Sequence, residues 1–270
     1  MLNVSIALYL PNWILLQQRV EDLLRAEEVK NIYLIDNSPA ETDIETIKSL
    51  FSSKKIHYLW NKGKDIGFGR AHNIAIRESV WQRTKYHLVM STGIEVQAED
   101  IDRLHWFMEH NPQVGQVMPK MIDAQRKVQY QCRLLPTPID VFLPVLIGKK
   151  RRNSNVLRAT GYDTIMNVPS MSGSFMFLRT EAALEARLFD ERYTMYAEHI
   201  DMTRTIHRKY LTLYLPDITI TNNEKQIQHN LLNWNYTVNM IRYFNKWGWI
   251  FDAERNETNR LTLQLCMQAK

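Results

Sequence analysis

Cysteine is nearly missing from this chain, with Cys132 and Cys266 the only two in 270 residues. Two distant thiols supply neither a disulfide framework nor a zinc ligand set, which excludes stapled secreted scaffolds and zinc modules and points to a reduced compartment. No apolar stretch approaches the ~18–20 residues that a membrane-spanning helix needs. The N-terminus enters a strand-like segment within four residues and shows no basic leader or cleavage site, so no signal peptide is expected. Internal repeats and low-complexity segments are absent as well. Glycine is scarce, nine residues in all, and yet three of them crowd together as Gly63, Gly67 and Gly69. The resulting expectation is an ordinary cytoplasmic protein.

What the chain does have is a 45% hydrophobic content, enough to bury a real core as one large domain or two small ones, and a net charge of +5. A basic balance admits nucleic acid, anionic lipid or phosphorylated ligands as partners. No recognised nucleic-acid motif accompanies the charge, so nucleic acid is not expected. Lys149, Lys150, Arg151 and Arg152 directly follow the apolar run Ile139–Ile147. Further on, Tyr236, Tyr243, Phe244, Trp247 and Trp249 interleave with Arg242 and Lys246. Aromatics beside cations suit an interfacial surface. They suit equally a C-terminal helix packed on the domain beside a solvated basic loop, and the pattern alone leaves both open.

Apolar segments alternate with amphipathic ones along the first half. Strands are expected at Val4–Leu10, Asn31–Ile35, Ile56–Trp60 and Tyr86–Met90, and helices at Ile14–Arg25, Thr42–Phe51, Arg70–Thr84 and Ala98–His110. Alternation of this kind implies βαβ units and a mostly parallel sheet. Such sheets bind ligands outside the carboxyl ends of their strands, at a switch in strand order. Asp36, Asn61 and Ser91 each follow an expected strand, so one crevice could collect them. Residues 136–163, dense in Pro, Lys, Arg and Asn, read as an insertion.

The glycine cluster joins an expected strand to an expected helix. It is neither a dinucleotide fingerprint nor a P-loop. A tight strand-to-helix turn explains it, and so does a phosphate cradle, because free N–H groups at a helix start favour anions. The order Asn61, Gly63, Gly67, Phe68, Gly69, Asn73 resembles the nucleotide-sugar glycosyltransferases of family 2. The resemblance runs from about residue 4 to residue 216. It includes the opening strand from Val4 to Tyr9, the Asp36-Asn37-Ser38 turn, the segment Met171–Arg179, Phe189-Asp190-Glu191, and the stretch Met195–Met202. It implies a GT-A fold: an α/β domain with a mostly parallel, Rossmann-like central sheet flanked by helices. Residues 1–225 would form that domain, and residues 226–270 a helical tail that packs on it or contacts the membrane.

The same resemblance implies roles for named positions. Asp36 would accept a hydrogen bond from a nucleotide base, with capping of its own turn as the plain alternative. Tyr9, Asn61, Gly67, Gly69, Asn73, Ser91 and Gly93 would line the donor, the glycines letting backbone approach the nucleoside. Gly173 and Ser174 would sit at the acceptor, where a small residue leaves room for sugar. Glu198, His199 and Asp201 would carry the catalysis. Histidine stands at position 199 where the family places its carboxylate base, and it is a competent general base. In a helix, His199 and Asp201 would not share a face.

Two departures bear on metal. Gly93 stands where the family has the aspartate that holds a divalent cation. Asn222 and Asn223 stand where many members have a histidine, and His229 comes later. Hard cations want oxygen ligands, usually carboxylates. No metal site is therefore expected, unless Glu95 takes up Mg²⁺ or Mn²⁺. Lys62, Lys64, Arg70 and Lys120 are the cations that could neutralise a leaving diphosphate instead. The expected function is inverting transfer of a sugar from dTDP-rhamnose or a UDP-sugar to a saccharide or lipid-linked saccharide acceptor, at the inner face of the cell membrane. A non-catalytic relative that binds nucleotide, sugar or a partner enzyme is the alternative.

Overall fold

A computed structural model describes residues 1–42, 44–146, 157, 160, 162–223 and 234–268. The first four strands are β1 (Leu2–Leu8), β2 (Val29–Asp36), β3 (Ile56–Trp60) and β4 (Tyr86–Met90). Between them run α1 (Trp13–Arg25), α2 (Ile44–Leu50) and α3 (Phe68–Trp81). Then come β5 (Ile94–Glu95), α4 (Ala98–His110), β6 (Val114–Ile122), β7 (Val128–Gln129) and α5 (Pro138–Leu146). The chain continues with β8 (Met166–Asn167), β9 (Phe175–Arg179), α6 (Thr180–Glu185), α7 (Glu198–His207) and β10 (Leu211–Asn222). It ends with α8 (Trp234–Trp247) and α9 (Ala253–Gln268).

All described strands join one sheet in the order β3-β2-β1-β4-β9-β6-β10-β5, with β7 on β6 and β8 on β10. The β3-β2-β1-β4 half is parallel throughout. The other half is mixed, because β9 runs antiparallel between β4 and β6 while β6 and β10 pair in parallel. Strand order turns back between β1 and β4, and such a reversal opens a crevice at the carboxyl ends. Leu8, Asp36, Trp60 and Met90, the last residues of the four parallel strands, bring positions 9, 37, 61 and 91 to that edge.

The sheet is covered on both faces, which accounts for its nearly continuous apolar strands. Leu88, Met90, Phe175 and Phe177 belong to the main core together with α1 and α4. Their alternating neighbours Val89, Met176 and Leu178 face the other way, into a second cluster with α6 and α7. Each fully buried Phe or Leu contributes roughly 1.5–3 kcal/mol relative to exposure. Asn12 caps α1, its side chain accepting from the Leu15 N–H at 3.2 Å. The helix therefore starts at Trp13, one residue before the apolar stripe suggests.

The tail packs on this body. Tyr236, Met240, Tyr243 and Phe244 of α8 form a cluster with Val141, Tyr193 and Ala197. Buried Arg204 of α7 makes two hydrogen bonds to Asp252, at 2.7 and 2.8 Å, and lies 4.0 Å from the ring of Trp247. No helix among the described residues is long and apolar enough to cross a membrane. Lys149–Arg152 and His229 lie outside the described residues.

Candidate active site

The turn after β2 is a closed network. Asp36 is fully buried; its Oδ1 accepts from the Ser38 N–H at 2.8 Å and its Oδ2 from the Tyr58 hydroxyl at 2.7 Å. The Asn61 N–H donates to the Asp36 carbonyl at 2.8 Å, and the Asn61 amide donates to Asn37 Oδ1 at 2.6 Å. Burial, reinforced by the bond to Asp36, pushes the Tyr58 hydroxyl up to about 12. Asp36 thus caps its own turn and anchors β3, which is the plainer of its two expected roles. Beside it, Tyr9 is 58% exposed at the end of β1, an open ring face next to the crevice.

The glycine loop packs against protein. A Cβ at Gly67, where φ is +82°, would lie 2.6 Å from the Thr194 carbonyl oxygen. At Gly69 it would lie 2.9 Å from Phe189 Cβ and 3.5 Å from Glu198 Cβ. The first N–H groups of α3 are engaged as well, Gly67 with Asp65 at 2.9 Å and Phe68 with the Thr194 carbonyl at 3.1 Å. The close approach on the Cβ side of these glycines is made by the segment 189–198. Asn73 is engaged by the same segment. It brackets Phe189, accepting from its N–H at 3.0 Å and donating to its carbonyl at 2.9 Å, and so staples α3 to the chain leading into α7.

That segment delivers Glu198 and His199, the first two residues of α7. His199 Nδ1 lies 3.4 Å from Glu198 Oε1, and Glu198 is 3% exposed, its Oε2 without a hydrogen-bond partner among the described residues. A proton on Nδ1 would point at the carboxylate and leave Nε2 as the basic nitrogen. At Gly173 an added Cβ would meet His199 Cβ at 3.1 Å and Nδ1 at 3.4 Å. The room expected there for a sugar is filled by the imidazole, so Gly173 seats the histidine. Ser174 lies beside it, its hydroxyl 2.9 Å from that of Ser172 and its carbonyl accepting from the Ser91 N–H at 2.9 Å. The buried Ser91 hydroxyl has no hydrogen-bond partner among the described residues. Gly69, Glu198, His199, Gly173, Ser174 and Ser91 thus form one connected set at the carboxyl edge.

Asp201 does not belong to it. Its carboxylate accepts from Lys246 Nζ at 2.7 Å and Trp247 Nε1 at 2.6 Å, both on α8. Burial raises its pKa above the usual carboxylate value, while Lys246 and Trp247 oppose the rise. His199 and Asp201, two residues apart on α7, point to opposite faces as expected, about 200° around the axis, and Asp201 holds the tail.

The expected metal positions do come together. The Asn223 N–H donates to the Gly93 carbonyl at 2.9 Å, and β5 pairs Asn222 with Ile94. Neither position offers a carboxylate or imidazole. Glu95, the conditional ligand, has its Oε2 bonded by Arg19 at 3.1 Å and by Asn223 at 3.3 Å. No cluster of three His, Cys, Asp or Glu side chains suited to a metal occurs among the described residues. The donor set does not fit a hard divalent cation. Of the expected cations, Arg70 pairs with Glu191 at 3.1 Å and Lys120 with Asp163 at 3.3 Å; Lys62 and Lys64 remain exposed on the loop.

His199 also lines a cavity of about 80 Å³ with Gln131, Arg133, Ser170, Ser172, Tyr196 and Tyr236. Tyr196 lies within the quoted Met195–Met202 motif and Tyr236 within the aromatic tail. Gln131 and Arg133 carried no sequence signal, nor did Tyr58 and Arg19, whose partners are remote in the chain.

No protein-family model matches the chain, and no curated protein matches it by sequence. Solved structures do. GalNAc-T7, solved with UDP, GalNAc and Mn²⁺, superposes with a TM-score of 0.64 over 92% of this chain, at 14% identity. The chain has the GT-A fold. TarS 1-349 of S. aureus, in complex with UDP-GlcNAc, gives a TM-score of 0.61 at 14% identity and covers 97% of this chain and 71% of its own. The mannosyltransferase PcManGT of Pyrobaculum calidifontis, in complex with GDP-Man and Mn²⁺, gives 0.57 at 12% identity, covering 100% of this GT-A chain and 75% of its own. The chain spans about half of GalNAc-T7, 48% of its length.

Proposed function

We propose that this GT-A chain is an inverting glycosyltransferase that moves a sugar from a nucleotide-diphosphate donor to a saccharide acceptor, with His199 as the base. The observation that carries the reading is the seating of Glu198–His199 between the glycine loop and Gly173, beside a cavity at the carboxyl edge of the sheet. His199 Nε2 would take the acceptor hydroxyl proton as the acceptor oxygen bonds the anomeric carbon. The bond from that carbon to the diphosphate breaks, and the nucleoside diphosphate leaves with the electron pair. Glu198 would hold the imidazole tautomer and stabilise the imidazolium that forms, the work of a carboxylate behind a catalytic histidine. Tyr9 would offer its exposed ring to the base, and the Asp36–Asn61 turn would form the wall beside it.

The neighbours bind UDP, UDP-GlcNAc and GDP-Man, which supports a nucleotide sugar as donor. A UDP-sugar or dTDP-rhamnose is the donor class, and the product belongs to a surface polysaccharide, with a lipid-linked saccharide as acceptor. Two of these neighbours were solved with Mn²⁺, and the residues at Gly93, Glu95 and Asn222 do not reproduce a carboxylate site. No step is therefore assigned to a metal; Lys62 and Lys64 would face the leaving diphosphate. Donor binding and transfer in His199→Ala test the assignment. Transfer should fall by at least about 10²-fold, the usual contribution of a positioned base, with donor affinity kept. Wild-type turnover would remove His199 from the mechanism.

The vacant ligand positions also favour a second reading, a non-catalytic relative that keeps the fold to bind nucleotide, sugar or a partner enzyme. Donor binding without transfer to any acceptor would support it.

A further inference from the structure

Two apolar segments far apart in sequence meet through an aromatic contact. Phe142 of α5 stacks on Trp249, just beyond α8, with centroids 5.8 Å apart and planes 19° apart, and Phe244 lies 5.3 Å from the same ring. This contact orients the rest of both segments outward. Val141 is buried, while Ile139 and Leu143, spaced for one helix face, are 68% and 45% exposed. In the turn between α8 and α9, Ile250 and Phe251 are 77% and 94% exposed. Scattered apolar residues on a surface need no explanation, but large exposed ones on two elements joined by an aromatic contact mark a contact site.

From these residues we infer that the α5 face and the α8–α9 turn form a docking surface for an anionic lipid bilayer. Charge favours lipid over protein as the occupant. The chain carries +5, and four consecutive cations, Lys149–Arg152, follow α5 in the sequence. A run of cations that follows an apolar helix in the sequence supplies the two components of interfacial binding, apolar insertion and attraction to anionic headgroups. The position relative to the cavity adds a second argument. Pro136, two residues before α5 and close in sequence to exposed Ile139, lines the cavity that holds His199. Docking by the α5 side of this surface would bring that cavity toward the headgroup layer, where a lipid-linked acceptor presents its sugar. This last link rests on the proposed function; the docking surface does not.

Co-sedimentation of the full chain with phosphatidylcholine vesicles, with and without phosphatidylglycerol, tests the inference. The wild-type chain should bind the anionic vesicles more tightly, and added salt should weaken it. The double variant Ile250→Glu/Phe251→Glu should lose at least roughly tenfold in partitioning, since one buried apolar side chain already carries that much. Leu143→Glu should weaken binding independently. These side chains are exposed, so the variants should melt with the wild type and keep its response to nucleotides, which separates a failure here from a failure of the proposed function. Absence of wild-type binding to anionic vesicles, or undiminished binding by the variants, would overturn the surface. So would a wild-type dimer that the double variant turns monomeric while vesicles capture neither.

Discussion

The Arg204–Asp252 pair makes the C-terminal tail part of the domain, and Asp252→Asn tests this. The two side chains are 2% and 3% exposed, with hydrogen bonds at 2.7 and 2.8 Å. Asparagine retains an acceptor for the Arg255 N–H, which Asp252 bonds at 2.9 Å at the start of α9, so the change mainly removes charge. It leaves a buried guanidinium supported by the Tyr243 hydroxyl at 3.2 Å, the Trp247 ring and the half-exposed Glu254 carboxylate at 3.7 Å. Removing one partner of a buried pair costs about 3–5 kcal/mol, most of it the uncompensated charge. Because an amide oxygen stays within reach, the lower end applies, about 3 kcal/mol, or a Tm drop of roughly 6–12 °C. Urea unfolding followed by tryptophan fluorescence and by far-UV circular dichroism should show one coincident transition in the wild type, and a lower midpoint in the variant. Arg204→Met combined with Asp252→Asn should recover part of the loss, since the Arg204 charge is then gone, while buried Arg255, 3.8 Å from Asp252, still loses its carboxylate. A variant within about 1 kcal/mol of wild type, or a tail that melts separately, would refute the reasoning.

Further outcomes follow from the same geometry. His72 and His87 are fully buried and share the Ser5 hydroxyl at 2.7 and 2.8 Å, and burial lowers each to about 3; His207 is lowered to about 4, also by burial. Because these folded-state values lie below the unfolded value near 6.5, the unfolded chain takes up protons that the native chain refuses. The stability present above pH 6.5 is then lost as pH falls toward 3–4, by about 1 kcal/mol per histidine over the first unit. Urea unfolding at pH 6.5 and 5.5 should differ by about 3 kcal/mol, and equal stabilities would contradict the assignment. Gly67→Ala places a Cβ 2.6 Å from a backbone carbonyl at φ +82°, so it should destabilise by more than about 1 kcal/mol and slow transfer. Gly173→Ala presses on His199 at 3.1 Å and should lower kcat while leaving donor affinity intact; an equal loss of both would detach Gly173 from the histidine.

Much of this fold is legible in the sequence because local period and burial agree. Ile56–Trp60 and Tyr86–Met90 are strands over the expected residues, and Ala98–His110 is a helix over its own. Helix α3 begins two residues earlier than its apolar pattern, because Gly67 and the Thr194 carbonyl set its start. The mixed half of the sheet was not legible, since the antiparallel placement of β9 depends on pairings across about ninety residues. For the site, the glycines, Asn73 and His199 stand out as positions, but their partners do not. Gly67 reads as room for a ligand until Thr194 is seen against it, and Asp201 reads as a spare carboxylate until Lys246 and Trp247 close on it. Residue type shows that a position is constrained, while the constraining contact is tertiary.

The most direct test of the account is a thermal-shift panel of UDP, dTDP and GDP, each with its sugars, in EDTA and in Mn²⁺. A ligand at one hundred times its Kd should stabilise the fold by about 2.7 kcal/mol, roughly 5–10 °C for a chain of this size. The account predicts a shift with one nucleotide class already present in EDTA. A shift that requires Mn²⁺ would contradict the metal-free donor site, and no shift with any nucleotide under either condition would contradict the donor site itself.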